Sequence, residues 1–241
     1  MRIMIMSDIH GNKAAFNAVL EDSKGFDIDC CALLGDIIDY GMHSNEVVEI
    51  VRGLPYKKVC NIWGNHEYAI IKGDYSRFSS ERGVNCAKYT STVLNDDSID
   101  YITKEMNESG KQDFVIDGYR FLFVHGRMDD PFWKSIDAES DAEPYSGYDY
   151  VLSGHSHLPH YFERYYKVDN ENTRNKKKCT FINPGSVGQP RNIDPSAQYC
   201  ILDTATGDIY FRKVDYDIGS EESAYNGQVD DFYRKRLRYG V

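Results

Sequence analysis

The chain has 241 residues, 41% of them hydrophobic, enough to bury a sizeable core and within the range of one large α/β domain or two small ones. Asp and Glu outnumber Lys and Arg by 38 to 28, and a formal net charge of -10 argues against attraction to long nucleic acid or anionic membrane through bulk charge, whereas bound divalent cations would offset part of it. The opening MRIMIMSDIHGN is too short in apolar residues for a secretory h-region, and no later stretch nears the ~20 apolar residues of a membrane span, so a cytoplasmic protein without membrane association is expected.

Short apolar runs alternate with helical patterns at the start of the chain: strand 3–6, helix 13–21, strand 31–34, helix 45–52 and strand 58–62. That rhythm predicts βαβ units and a parallel sheet. Residues 68–108 read as mostly helical, and two strands at 113–116 and 119–124 follow, joined by Asp117-Gly118, a favoured hairpin turn. From 150 the pattern is chiefly extended, with strands at 150–153, 161–167, 180–182, 199–203 and 209–214, before a polar helix over 221–238. The polar stretch 169–178 (DNENTRNKKK) reads as an exposed hairpin loop, with substrate contact as the lesser alternative. No repeat or linker interrupts the chain, and 1–241 is read as one domain. The six cysteines include no C-x-x-C pair, and the adjacent Cys30 and Cys31 would face opposite sides of a strand, so reduced core thiols are expected.

Each time an apolar strand stops, a candidate ligand appears: Asp8-Ile9-His10, Gly35-Asp36-Ile37-Ile38-Asp39, Gly64-Asn65-His66-Glu67, His125-Gly126 and Gly154-His155-Ser156-His157. Singly these have structural readings, since Asp before a helix is a good cap and Gly-Asn is turn chemistry. Together they predict one shared site at the carboxyl ends of the strands, because gathering several imidazoles and carboxylates there is costly without cations. Carboxylate, carboxamide and imidazole donors without thiolate suit Mn, Fe or Zn in a working site rather than a structural zinc.

In this order and combination the five motifs resemble the calcineurin-like metallophosphoesterase superfamily, and the tail NPGSVGQPR (residues 183–191) followed by DPSAQYCILD is similar to its compact bacterial and archaeal branch of YfcE-type phosphodiesterases. The resemblance implies a two-sheet β-sandwich flanked by helices, a four-layer αββα arrangement. It implies two divalent ions, Mn first with Fe, Zn or Ni as alternatives. Asp8, His10 and His157 would hold one, Asn65, His125 and His155 the other, and Asp36 would bridge them. In such pairs, ~3.5 to 4 Å apart, the ions clamp phosphate oxygens and activate a water for in-line attack. His66 would stabilise the transition state or protonate the leaving group, and Asp39 would orient it, with a helix cap or loop hydrogen bond as the alternative role for Asp39.

Asn12 is expected either to reach a substrate phosphate or to close the turn before the first helix. Ser186 and Arg191 are expected to line the site from the far side, Arg being suited to bidentate phosphate contact, with a purely structural turn as the alternative. His43 and His160 match no ligand position, and the run YFERYY (161–166) reads as an edge strand against a partner chain or as core alternation. The function implied is hydrolysis of a small phosphate mono- or diester, nucleotides included. Protein phosphatase, nuclease or a scaffold such as the same fold provides in the retromer coat remain the alternatives, and a homodimer is compatible with the branch.

Overall fold

In a computed structural model describing residues 1–241, the first apolar run forms β1 (Arg2–Met6). Its residues are buried on both faces: Met4 and Met6 point towards helices, while Ile3 and Ile5 point towards a second sheet. A strand covered on both sides reads as a continuous apolar run rather than as alternation. Then follow α1 (Lys13–Ser23), β2 (Cys30–Leu33), α2 (Ser44–Arg52) and β3 (Lys57–Asn61). β1, β2 and β3 pair in parallel, as the βαβ rhythm requires.

The region expected to be helical holds α3 (Asn65–Lys72), α4 (Glu81–Val93) and α5 (Asp96–Glu105), which join α1 and α2 in covering the outer face of the first sheet. β4 (Lys111–Ile116) and β5 (Tyr119–Val124) form the expected hairpin, with both Asp117 and Gly118 at positive φ. β6 (Tyr150–Ser153), β7 (His160–Lys167), β8 (Lys176–Asn183), β9 (Ala197–Asp203) and β10 (Asp208–Val214) complete two five-stranded sheets, ordered β10-β9-β1-β2-β3 and β4-β5-β6-β8-β7. The inner faces meet through Ile3, Ile5, Leu34, Phe121, Phe123, Leu152 and Ile182. This is the expected two-sheet sandwich flanked by helices. The outer face of the second sheet is covered by residues 126–149, which contribute Ile136 and Tyr145 and contain only one 3-10 turn.

The six cysteines are buried and unbridged, Cys30 in the inter-sheet core and Cys31 under the helices, so the two do face opposite ways. No helix is long and apolar enough to cross a membrane. The single polar helix expected over 221–238 is corrected: the chain forms α6 (Ile218–Glu222) and α7 (Asp231–Tyr239), separated by a turn with Gly227 at φ 83° and closed by Asp230, whose side chain caps α7. Asn226-Gly227 breaks the helix where charge patterning alone suggested continuity.

Candidate metal centre

The loops that leave β1, β2, β3, β5 and β6 converge at one end of the sandwich, and their backbones are bent to a degree that the sequence does not announce. Asp8, His10, Asp36, Asp39, Tyr40, His155 and His157 all take positive φ, between 49° and 71°. For a residue with a Cβ that conformation costs ~1–2 kcal/mol, so the surroundings must impose it. Part of the restraint is a ladder between loops, with Asp8 N–H donating to Gly35 O (3.1 Å), His10 N–H to Asp36 O (2.9 Å) and Gly11 N–H to Ile37 O (2.9 Å). Glu67, fully buried, adds to it: its carboxylate accepts from the N–H groups of Asp36 (2.8 Å), Ile37 (2.8 Å), Ile38 (3.2 Å) and Gly64 (2.7 Å). Gly64 allows the close approach: a Cβ there would lie 2.1 Å from Asp36 Oδ1.

The side chains so aimed form two donor groups, Asp8, His10, Asp36 and His157 in one and Asp36, His125 and His155 in the other, with Asp36 common to both. Asn65 Oδ1 closes the second group, 3.0 Å from His125 Nε2 and 2.9 Å from His155 Nδ1. Three imidazoles are oriented by backbone carbonyls at Nδ1: His10 by Ile38 (3.2 Å), His125 by Leu34 (2.7 Å) and His157 by Gln189 (2.5 Å). A histidine whose Nδ1–H is so engaged presents Nε2 as its ligand atom.

Burial, His125 and Asp36 hold His155 near a pKa of about 3, the first two lowering and the carboxylate raising it, and burial beside Arg191 holds His157 at about 4, so both imidazoles are neutral at pH 7. The Nε2 atoms of His10 and His157 then face each other at 3.1 Å, and His157 Nε2 lies 3.2 Å from Asp8 Oδ1, a buried oxygen with no hydrogen-bond partner. Lone pairs from three groups thus converge with no proton between them. This donor set fits a divalent cation. His125 behaves differently: burial disfavours its charge, but the Asp36 carboxylate outweighs that and pushes it up to about 9, while His125, with His66 and His10, holds Asp36 well below the usual range against its own burial.

His66 lies at the start of α3 with Nδ1 2.6 Å from Asp39 Oδ2, and Thr90 donates to the other Asp39 oxygen at 2.6 Å. The carboxylate therefore fixes the proton of His66 on Nδ1 and turns Nε2 towards the cleft, 3.9 Å from Asp36 Oδ2. Burial lowers the basicity of His66, but Asp36 and Asp39 overcome it and raise its pKa. Tyr40 packs beside both His10 and His66, at 4.5 Å from each ring, and is itself stacked on Tyr233 of α7 at 4.5 Å. The cleft above the donor groups measures about 240 Å³, and Arg191, Phe78, Trp133 and Arg77 form its mouth with Tyr40 and His66.

The three expected substrate contacts separate. Arg191 lines the cleft, makes no ion pair and has a buried Nε without a partner. Asn12 is fully buried, accepts from Ala15 N–H to cap α1, and donates to Gly188 O and Tyr216 Oη, so it closes the turn. Ser186 is fully buried too, donating to Asp8 O at 2.7 Å and accepting from Gln189 N–H, so its hydroxyl ties the 183–191 loop to the first ligand loop. His43 bonds Glu221 at 2.8 Å, and His160 begins β7; neither joins the donor groups.

Sequence reading gave no role to Glu67, Thr90, Tyr40, Phe78 or Trp133. Glu67 carried a signal, its place in Gly-Asn-His-Glu, and Tyr40 adjoins Asp39 of the second motif. Thr90, Phe78 and Trp133 come from helix or loop positions whose spacing has no relation to the motifs.

Across residues 1–207 the chain matches the model of the calcineurin-like phosphoesterase superfamily domain. An uncharacterized protein of Methanocaldococcus jannaschii is 29% identical over 248 residues, covering 99% of this chain and 98% of that one. The crystal structure of a metallophosphoesterase from Sphaerobacter thermophilus superposes with a TM-score of 0.75 at 29% identity, covering 100% of this chain and 99% of the other. YfcE, a phosphoesterase from E. coli, shares the fold with a TM-score of 0.50 at 19% identity, over 89% of this chain and 100% of that one.

Proposed function

The chain belongs to the calcineurin-like phosphoesterase superfamily and is a metal-dependent hydrolase of phosphoric esters, and from that premise we propose that it works through two divalent ions on a small phosphate mono- or diester. Asp8, His10 and His157 would hold one ion, Asn65, His125 and His155 the other, and Asp36 would serve both; Mn is the first candidate. The observation that carries this reading is Asp36, the one carboxylate common to both donor groups, set beside an orphaned Asp8 oxygen. The ions, when bound, supply Lewis acidity to the phosphoryl oxygens and acidify water.

The chain's own residues do the rest, within one domain over 1–241. Arg191, free of any carboxylate, binds a phosphate oxygen in the cleft. Asp39 engages the Nδ1 proton of His66, and against burial Asp36 and Asp39 raise the basicity of the ring, so that it takes a second proton on Nε2, the atom that gives a proton or a hydrogen bond to the departing alcohol oxygen.

Hydrolysis of model mono- and diesters with added Mn, alongside metal analysis of Asp36→Asn and His66→Ala, tests these roles. Asp36→Asn is expected to lose bound metal. His66→Ala is expected to keep metal and lose about 10²-fold or more in kcat. Full activity in both variants would sink the assignment.

A further inference from the structure

We propose that Phe78 and Trp133 form a stacking wall beside the metal centre that selects phosphate esters whose alcohol carries a planar ring, a nucleoside above all; this rests on the hydrolase reading of the same cleft. Phe78 belongs to the connection between α3 and α4, and Trp133 to the loop that follows β5, so two segments far apart in sequence meet over one site. Their rings continue outward from the candidate acid: Phe78 stands edge-on to His66 at 5.1 Å, and Trp133 edge-on to Phe78 at 5.4 Å.

The wall is held in place from behind. Arg77 bonds both oxygens of Asp130, at 3.3 and 2.6 Å, and Asp130 Oδ1 also accepts from Trp133 N–H at 3.2 Å. The Arg77 guanidinium sits 5.4 Å from the Trp133 ring centre, and the neighbouring Phe132 stacks on Tyr68 of α3 at 4.8 Å. A ring surface fixed in this way pays little ordering entropy when a second ring lands on it.

Trp133 lies outside the hydrophobic clusters of the core; its half-buried indole meets Phe78, which does pack on the core, and the Arg77 guanidinium, and it lines the cleft. Charge narrows the ligand further. Arg77 is neutralised by Asp130, which leaves Arg191 as the one unpaired cation lining the cleft. Beside the metal centre, one free guanidinium and about 240 Å³ suit a phosphate group with a planar ring attached.

The test compares adenosine 5'-monophosphate with ribose 5-phosphate, and the methyl diesters of both, using the Mn-loaded protein. Each pair differs only in the planar base. The wild type is expected to favour the adenosine esters in kcat/KM by about 5- to 150-fold, the range that one stacked base contributes. Trp133→Leu is expected to bring that ratio towards one with metal content retained, and Trp133→Phe to keep most of it. Equal kcat/KM for the two wild-type substrates, or an unchanged ratio in Trp133→Leu, would overturn the proposal.

Tryptophan fluorescence provides a readout independent of turnover, since Trp63, the other tryptophan, is buried in the core. Saturable quenching by the adenosine ester and not by ribose 5-phosphate, lost in Trp133→Phe, supports the wall. If none of the esters is cleaved, the hydrolase reading falls by itself and the quenching still decides the wall: its absence overturns the proposal.

Discussion

His66 reaches the cleft with only one nitrogen free, because Asp39 holds the other and Thr90 holds Asp39. Such a chain orients the ring through Nδ1–H and supports a second proton on Nε2, which faces the cleft. Replacing Asp39 with Asn leaves the shape and removes one acceptor. The Asn oxygen can accept from Thr90 or His66 but not both, and without the carboxylate charge the ring no longer holds the second proton that Nε2 must give. We expect Asp39→Asn to lower kcat and kcat/KM together by about 10²-fold, with metal content as in the wild type. Steady-state kinetics with metal analysis checks it, and wild-type kcat would show that Asp39 is only a loop hydrogen bond. At this scale the motif residues were legible because each stands where an apolar run stops. Their left-handed backbones were not, since Asp, His and Tyr give no sign of the positive φ that glycine would advertise.

Among elements, the parallel order of β1, β2 and β3 followed from hydropathy alone, because buried strands and amphipathic crossover helices leave different periods. The second sheet was legible only as a set of strands, since nothing local records that β6 pairs with β8 while β7 lies outside both. The C-terminal helix expected over 221–238 is two short helices because Asn226-Gly227 turns the chain between them. The cleft's aromatic wall was invisible for a related reason: it is made by two loops, and loops carry no period. One buried side chain, Glu67, ties the loops after β2 and β3 through four N–H groups. Burial and the Asp36 charge push Glu67 up to about 7, but four N–H donors and no acceptor surround it, which favours the carboxylate. Glu67→Gln turns an amide NH2 towards those donors. Hydrogen bonds to a charged group are worth about 1.5–3 kcal/mol, so loss of one or more is expected to lower Tm by roughly 3–12 °C and to weaken metal binding through displacement of Asp36. Thermal melts with and without Mn measure both, and an unchanged Tm would mean that the loops keep their geometry without this carboxylate.

At the scale of the whole molecule, a chain with a formal charge of -10 gathers buried carboxylates and imidazoles where its two sheets end, so its stability should depend on what binds there. A ligand that binds the folded state alone stabilises it by about 2.7 kcal/mol at a hundred times its Kd, which for a chain of this size is a Tm rise of roughly 5–11 °C. Removing metal with a chelator should reverse that rise, and the size of the effect should depend on pH in a definite direction. In the metal-free protein His125 is raised to about 9 by Asp36, above its unfolded value of 6.5. The stability this proton contributes is therefore complete below pH 6.5 and is lost as pH rises towards 9. A cation at Nε2 of His125 must displace the same proton, so apparent metal affinity rises about tenfold per pH unit over that window and levels off near 9. Both trends widen the gap between metal-loaded and metal-free protein as pH goes from 6.5 to 9. Melts with Mn and with chelator across that range measure the gap directly, and calorimetric titration in buffers of different ionisation enthalpy should register release of close to one proton per protein at pH 7.5. A gap that narrows with rising pH would show that His125 is not protonated in the metal-free cage, and with it that the imidazole is not a ligand bought at the expense of its bond to Asp36.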